Sequence, residues 1–100
     1  MGVRVELEDG SIVDTTGWRH VSSGVDVVGG VDLHLSVDRH PDGRYLIRGA
    51  RQEPKQKRKS INCVAMDESA AAEEINRVAS ELGLTRKRTD DALAKLAWRN

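Results

Sequence analysis

Hydrophobic residues alternate with polar ones through much of the first 66 residues, and this period of two is typical of β-strands with one buried face. The clearest run places Val31, Leu33, Leu35 and Val37 on one side, with a polar side chain at each position between them. The pattern predicts a strand with one face in the core and the other face in water.

Short turn sequences separate the predicted strands. Asp9-Gly10 predicts a first hairpin between residues 3–7 and 12–13, because tight reversals need the positive φ that glycine and aspartate tolerate. Gly29-Gly30 and Pro41-Asp42-Gly43 predict two further turns. Connections this short favour an antiparallel meander, since parallel strands need long crossovers. The remaining predicted strand segments are residues 17–21, 25–28, 44–50 and 60–66.

The period changes after residue 66. Ala71, Ile75, Val78 and Leu82 recur at the spacing of one helical face, and we expect Asp67 to cap this helix and Gly83 to end it. A second, shorter helix is predicted with Thr89 as its N-cap and with Asp90 and Asp91 in its first turn, where carboxylates suit the helix dipole.

Composition supports a division into a β part and a helical part. Ten of the eleven valines fall at or before Val64, and eight of the nine alanines fall at or after Ala65. A length of 100 residues indicates a single domain over 1–100. The predicted class is α+β: an antiparallel meander of about five to seven short strands in residues 2–66, followed by one or two helices in 67–100 that pack on the sheet.

The chain carries signals of a cytoplasmic protein. Cys63 is the single cysteine, so no intramolecular disulfide can form. No apolar stretch approaches the roughly 18 residues that span a bilayer, and the first twenty residues are rich in acidic side chains instead of resembling a signal peptide. We therefore expect a reducing compartment and no membrane partner.

Signs of catalysis are weak. Asp32, His34 and Ser36 share one strand face, where neighbours lie about 6.5–7 Å apart, too far for a nucleophile and its base. His20 and His40 lie on other segments, without the spacing of metal ligands. No glycine-rich loop opens a helix in the way that phosphate binding needs. The sequence predicts a non-enzymatic protein with no cofactor and no metal.

The distribution of charge points to a binding surface. Sixteen basic and sixteen acidic residues cancel, yet the first fifty residues carry a net charge of −3 and the last fifty a net charge of +3. Clustered lysine and arginine displace counterions from a phosphate backbone, so the basic segment 48–59 predicts binding of DNA or RNA. A solvated loop, or an edge strand protected by lysines, is the alternative. The candidate residues are Arg48, Arg51, Lys55, Lys57, Arg58 and Lys59.

Residues 75–97 resemble a helix-turn-helix DNA-binding motif. Ala79 matches the small residue where the two helices touch, Gly83 matches the turn, and Leu84 matches the apolar residue beneath it. The resemblance implies that the second helix enters the major groove and that its first residues face DNA. These residues are Arg86, Lys87 and Arg88. The alternative is a plain helical hairpin, in which Thr89 caps the second helix and residues 83–88 only connect the two.

A protein-interaction module, such as a small inhibitor or regulatory subunit, is the competing function class. Trp18 stands beside Arg19 and His20 near predicted turns, and tryptophan and arginine are enriched at binding hot spots. Tyr45 and Trp98 are expected to pack in the core or between helices, although the Trp98 end of the last helix, like a sheet edge, also suits a partner. A homodimer through this helix stays open.

Overall fold

The computed structural model describes residues 2–98 and confirms the α+β class, with two antiparallel sheets followed by two helices. A small hairpin pairs two strands, and a four-stranded meander forms the main sheet in the order β3-β4-β5-β6. No helix in this part of the chain is long and apolar enough to cross a membrane. The elements are β1 (Arg4–Glu6), β2 (Ile12–Asp14), β3 (Arg19–Val28), β4 (Val31–Arg39), β5 (Tyr45–Gln52), β6 (Lys59–Ala65), α1 (Glu68–Leu82) and α2 (Arg86–Ala97).

Both helices pack on one face of the main sheet. The helix α1 lies over β5 and β6, while α2 lies over β3 and β4. Leu35, Val37 and Ile47 of the sheet are buried in one cluster with Ile75 and Val78 of α1. This face therefore holds the core, as the alternation in β4 predicts.

The strand register defines two ends of the main sheet. At one end, Asp26, Leu33, Arg51 and Lys59 are paired in a row across the four strands. At the other end, a second row crosses the sheet, and its members are Arg19, Arg39, Tyr45 and Ala65. Residues far apart in the sequence thus meet at either end of the sheet.

The opposite face of β4 is not uniformly wet, and that part of the prediction is wrong. Ser36 and Asp38 are only 4% and 7% exposed. Asp38 accepts a hydrogen bond from Arg48 at 2.8 Å, and its carboxylate lies 3.4 Å from Nδ1 of His20. A buried carboxylate needs such partners, because removing its charge from water without them costs on the order of several kcal/mol.

The strand β3 is continuous, whereas the sequence predicted two separate segments. It runs with one register irregularity between His20 and Ser22 and pairs with β4 along its whole length. Gly24 lies inside it, and a Cβ atom there would overlap the Arg88 side chain of α2. The glycine therefore marks the docking of a helix and not the end of a strand.

The caps of α1 follow the prediction, but the start of α2 does not. Asp67 accepts a hydrogen bond from the Ala70 amide at 2.8 Å, and Gly83 ends α1 with a φ of 67°. Thr85 caps α2 by accepting from the Arg88 amide at 3.1 Å. Thr89, predicted as the cap, is buried and donates its hydroxyl to the Thr85 carbonyl at 2.9 Å, so α2 begins one turn earlier.

The β1–β2 hairpin is fastened across the β6 edge of the main sheet. The Glu8 amide donates to the Asn62 carbonyl at 3.1 Å, and the Asn62 side chain donates to the Glu6 carbonyl at 3.0 Å. Arg77 of α1 adds an ion pair with Glu8. One edge of the main sheet is thus occupied by the chain itself, while β3 forms the other edge.

Replacing Gly49 with alanine is expected to lower the free energy of unfolding by about 1–2 kcal/mol, through overpacking of the core. Gly49 lies in β5 directly beneath α1, and an added Cβ would overlap Val78 and lie 2.8 Å from Cδ1 of Leu82. Urea denaturation measures the loss. In a double-mutant cycle with Val78→Ala, the second substitution makes room for the methyl group, so the combined loss should be smaller than the sum; full additivity would contradict this packing.

Candidate nucleic-acid interface

The fold brings the two predicted basic clusters to the same end of the main sheet. Arg51 donates to the Leu82 carbonyl at 2.9 Å and so holds the end of α1 over β5. Arg88 of α2 bonds Asp26 through Nε at 3.0 Å. Because Asp26 and Arg51 belong to one row that ends at Lys59, the connection between the helices lies beside the β5–β6 loop.

Three of the nine predicted nucleic-acid residues are used inside the protein. Arg48 bonds Asp38, and Arg51 bonds the end of α1. Arg88 forms an ion pair with Asp26, which holds the pKa of that carboxyl below its usual range and raises the pKa of the guanidinium. These half-buried arginines position the elements that carry the other basic residues.

The other six residues project from this end, which we call the basic end. All six are exposed, and none forms an ion pair within residues 2–98. The nearby carboxylates of Asp26 and Glu53 are paired with Arg88 and Arg51, while Asp90 lies beside Lys87 on α2. The basic end consists of Lys55, Lys57, Arg58, Lys59, Arg86 and Lys87.

The β5–β6 loop has a defined backbone. The Gln52 side chain donates to the Gln56 carbonyl at 2.6 Å and to the Glu53 carbonyl at 3.0 Å. Lys55 adopts a φ of 61°, a left-handed conformation that a non-glycine residue rarely adopts outside a turn. A loop held in this way loses less conformational entropy when a ligand binds it.

Arg58 extends the positive potential toward the sheet face opposite the helices. Partial burial lowers the pKa of His34, and the positive charges of Arg58 and Arg48 lower it further. His34 is therefore neutral at pH 7, and within residues 2–98 no hydrogen bond joins its side chain to Asp32 or Ser36.

The segment that resembles a helix-turn-helix forms a hairpin of two helices. Ala79 is buried, and its carbonyl accepts a hydrogen bond from the Leu84 amide at 2.9 Å. Arg86 and Lys87 are exposed on the first turn of α2, whereas Arg88 turns inward to Asp26. DNA reading by this hairpin stays a prediction.

A cluster of three groups with metal-binding atoms lies where β6, α1 and the β1–β2 hairpin meet. Donor atoms of Glu8, Cys63 and Glu74 lie within 4.8 Å of one another. Arg77, however, bonds both carboxylates. Burial raises the pKa of the Cys63 thiol to about 12, and the Glu74 carboxylate raises it as well. A protonated thiol beside an arginine is a poor cation site, and the cluster serves instead to hold the β1–β2 hairpin on α1.

Of the predicted interaction residues Trp18, Arg19 and Trp98, the last two line one cleft and Trp18 does not line it. Trp18 is half-buried, with its ring 5.0 Å from that of His40 and the Arg44 guanidinium 5.3 Å over it. Arg19 and Trp98 line a cleft at the end of the sheet opposite the basic end. Trp98 is 71% exposed, so its predicted place in the core is wrong, while Tyr45 is buried as expected.

Sequence reasoning missed Arg39 and Lys95, which line the same cleft. Arg39 is paired with Arg19 across β3 and β4, and this pairing becomes visible only with the strand register.

Comparison with protein-family models, curated proteins and solved structures finds no match to this chain.

Proposed function

We propose that this protein is a nucleic-acid-binding module that contacts phosphates through its basic end. The observation that carries the proposal is the meeting of two basic clusters at one end of the sheet, although a whole helix separates them in the sequence. Six exposed cations without internal ion pairs would release counterions from a phosphate backbone, and this release drives binding that is independent of sequence.

The surroundings of the basic end favour contact with the backbone over contact with bases. Stacking on bases requires aromatic rings on the binding face, and Tyr45 and Trp98 both line the cleft at the other end of the sheet. Trp18 packs against His40 and Arg44. We therefore expect little sequence preference and comparable binding of duplexes that differ only in sequence.

Salt dependence tests the proposal directly. Fluorescence anisotropy with a labelled DNA duplex and a labelled RNA duplex should show saturable binding at about 50 mM salt, with a log–log slope near −5 for duplex DNA when all six cations contact phosphates. A slope near zero, or no saturable binding of either duplex at this salt concentration, would overturn it. Both duplexes should be measured in two sequences, and a strong preference for one sequence would contradict a backbone interface.

A protein partner is the second candidate, and the edge strand β3 favours it. Val25 and Val27 are 60% and 68% exposed on this strand, and exposed valines on an open edge suit pairing with another chain. Retention of a partner from lysate separates the two candidates. Nuclease-resistant retention that is lost in a Val27→Glu variant supports the protein partner, whereas nuclease-sensitive retention supports the nucleic acid.

A further inference from the structure

A cleft of about 660 Å³ lies at the end of the sheet opposite the basic end. The start of β3 and the ends of β4 and α2 form its walls, together with the first residues of β5 and α1. Its volume lies within the roughly 300–1,000 Å³ that is usual for small-molecule sites.

Two arginines oppose each other at the rim of this cleft. Arg19 and Arg39 are directly paired across β3 and β4, and like charges at such positions destabilise a sheet. Within residues 2–98, neither the Arg19 nor the Arg39 guanidinium forms an ion pair with a carboxylate. Lys95, in the same wall, is paired with Asp91 at 3.6 Å. An anion bound between the two guanidinium groups would relieve this repulsion and accept charge-assisted hydrogen bonds from both.

The remaining lining is partly aromatic and apolar. The buried Tyr45 ring lies beneath the Arg39 guanidinium, 6.0 Å from it, and Leu96 of α2 is buried beside the cleft. The indole of Trp98 borders the cleft and is mostly exposed. Glu68 contributes one carboxylate to the wall, so the charge is concentrated on the Arg19 and Arg39 side.

We propose that this cleft binds a small phosphate monoester that carries a flat ring. Two guanidinium groups offer paired N–H donors to the tetrahedral, doubly charged phosphate, a geometry that arginine matches well. The ring would lie against the Trp98 indole, since flat aromatic groups stack favourably on exposed indole. This site is separate from the basic end and does not depend on the proposed binding of nucleic acid.

Titration with phenyl phosphate tests the proposal. Isothermal calorimetry, with amide chemical shifts as a site-specific readout, should show phenyl phosphate binding at least about tenfold more tightly than inorganic phosphate, phenol or benzoate. The largest shifts are expected at residues 19–21, 39 and 95–98. Equal affinity for benzoate, or shifts confined to other residues, would overturn the assignment to a phosphate monoester.

Single substitutions separate the two halves of the ligand. Arg19→Gln and Arg39→Gln should each weaken phenyl phosphate binding by about tenfold or more, because each removes one charged donor. Trp98→Ala should weaken phenyl phosphate but leave inorganic phosphate unchanged. The control Lys57→Gln, at the basic end, should bind phenyl phosphate like the parent protein. Unchanged binding by both arginine variants would refute the site.

Stability without ligand distinguishes a binding role from a structural one. Because Arg19 opposes Arg39, the Arg19→Gln variant should unfold at the same or a higher temperature than the parent protein. A large fall in melting temperature would assign Arg19 to the fold and overturn its role in ligand binding. The Arg19→Gln variant should still bind duplexes like the parent protein. Failure of the cleft proposal can therefore be distinguished from failure of the proposed nucleic-acid binding.

Discussion

Replacing Lys55, Lys57 and Lys59 together with glutamine is expected to weaken duplex binding by about 30-fold or more near 0.1 M salt. All three side chains are exposed at the basic end and have no ion pair within the described residues, so each is available to a phosphate. For duplex DNA, the log–log slope against salt should shrink by about 2–3, since each phosphate contact contributes about 0.9. Anisotropy titrations at several salt concentrations measure both effects.

A second triple variant of equal charge provides the control. Arg4→Gln, Arg39→Gln and Lys95→Gln remove three exposed cations away from the basic end, so they match the change in net charge without removing the proposed contacts. This control should bind the duplex like the parent protein. Equal losses in the two triple variants would show that net charge alone matters, and the assignment of the interface to the basic end would then be wrong.

Alkylation of Cys63 in the folded protein is expected to be about a thousandfold slower than in the protein unfolded by urea, at pH 8. The thiolate is the reactive form, and burial beside the Glu74 carboxylate raises the pKa of this thiol to about 12. Labelling with iodoacetamide, stopped at set times and followed by mass spectrometry, measures both rates on the same chain. A native rate within about tenfold of the unfolded rate would mean that the thiol is ionised and accessible.

The raised pKa of the Cys63 thiol also predicts that the stability of the protein depends on pH in the alkaline range. A thiol whose pKa is raised by folding does not affect the pH dependence of stability below about pH 9, and it lowers the free energy of unfolding as the pH rises from about 9 to about 12. As the pH rises, the Cys63 thiol loses its proton in the unfolded chain at a lower pH than in the folded chain, and this difference favours unfolding. Urea midpoints should therefore fall more steeply between pH 8 and about pH 10.5 in the parent protein than in a Cys63→Ala variant. Parallel curves of urea midpoint against pH for the two proteins would contradict the raised pKa of Cys63.

Local signals in the sequence predicted most of the fold. The Asp9-Gly10 turn, the buried face of β4 and the Asp67 and Gly83 caps depend on neighbours within a few residues, and the structure confirms each of them. The start of α2 was missed because Thr85 and Thr89 are both plausible caps. Asp26 of the distant strand β3 accepts hydrogen bonds from both the Thr85 hydroxyl and Arg88, and these contacts favour the earlier start.

The roles of individual charges were harder to predict. Density along the sequence treats Arg48, Arg51 and Lys57 alike, but only the fold shows that the two arginines meet Asp38 and Leu82. Whether the two basic clusters meet depends on register, which links residues 26, 33, 51 and 59 across four strands. A linear pattern contains no information about such rows until the strands are paired.

The unequal edges of the main sheet limit how copies of this chain can associate. The hairpin fastened at Asn62 blocks further pairing there, while β3 keeps its outer hydrogen-bonding groups. Two copies that joined through β3 would be related by a twofold axis and would bury both free edges at once. The resulting eight-stranded sheet would have the β1–β2 hairpin against Asn62 at either side, so we expect β-pairing to stop at two copies and not to continue into a fibre.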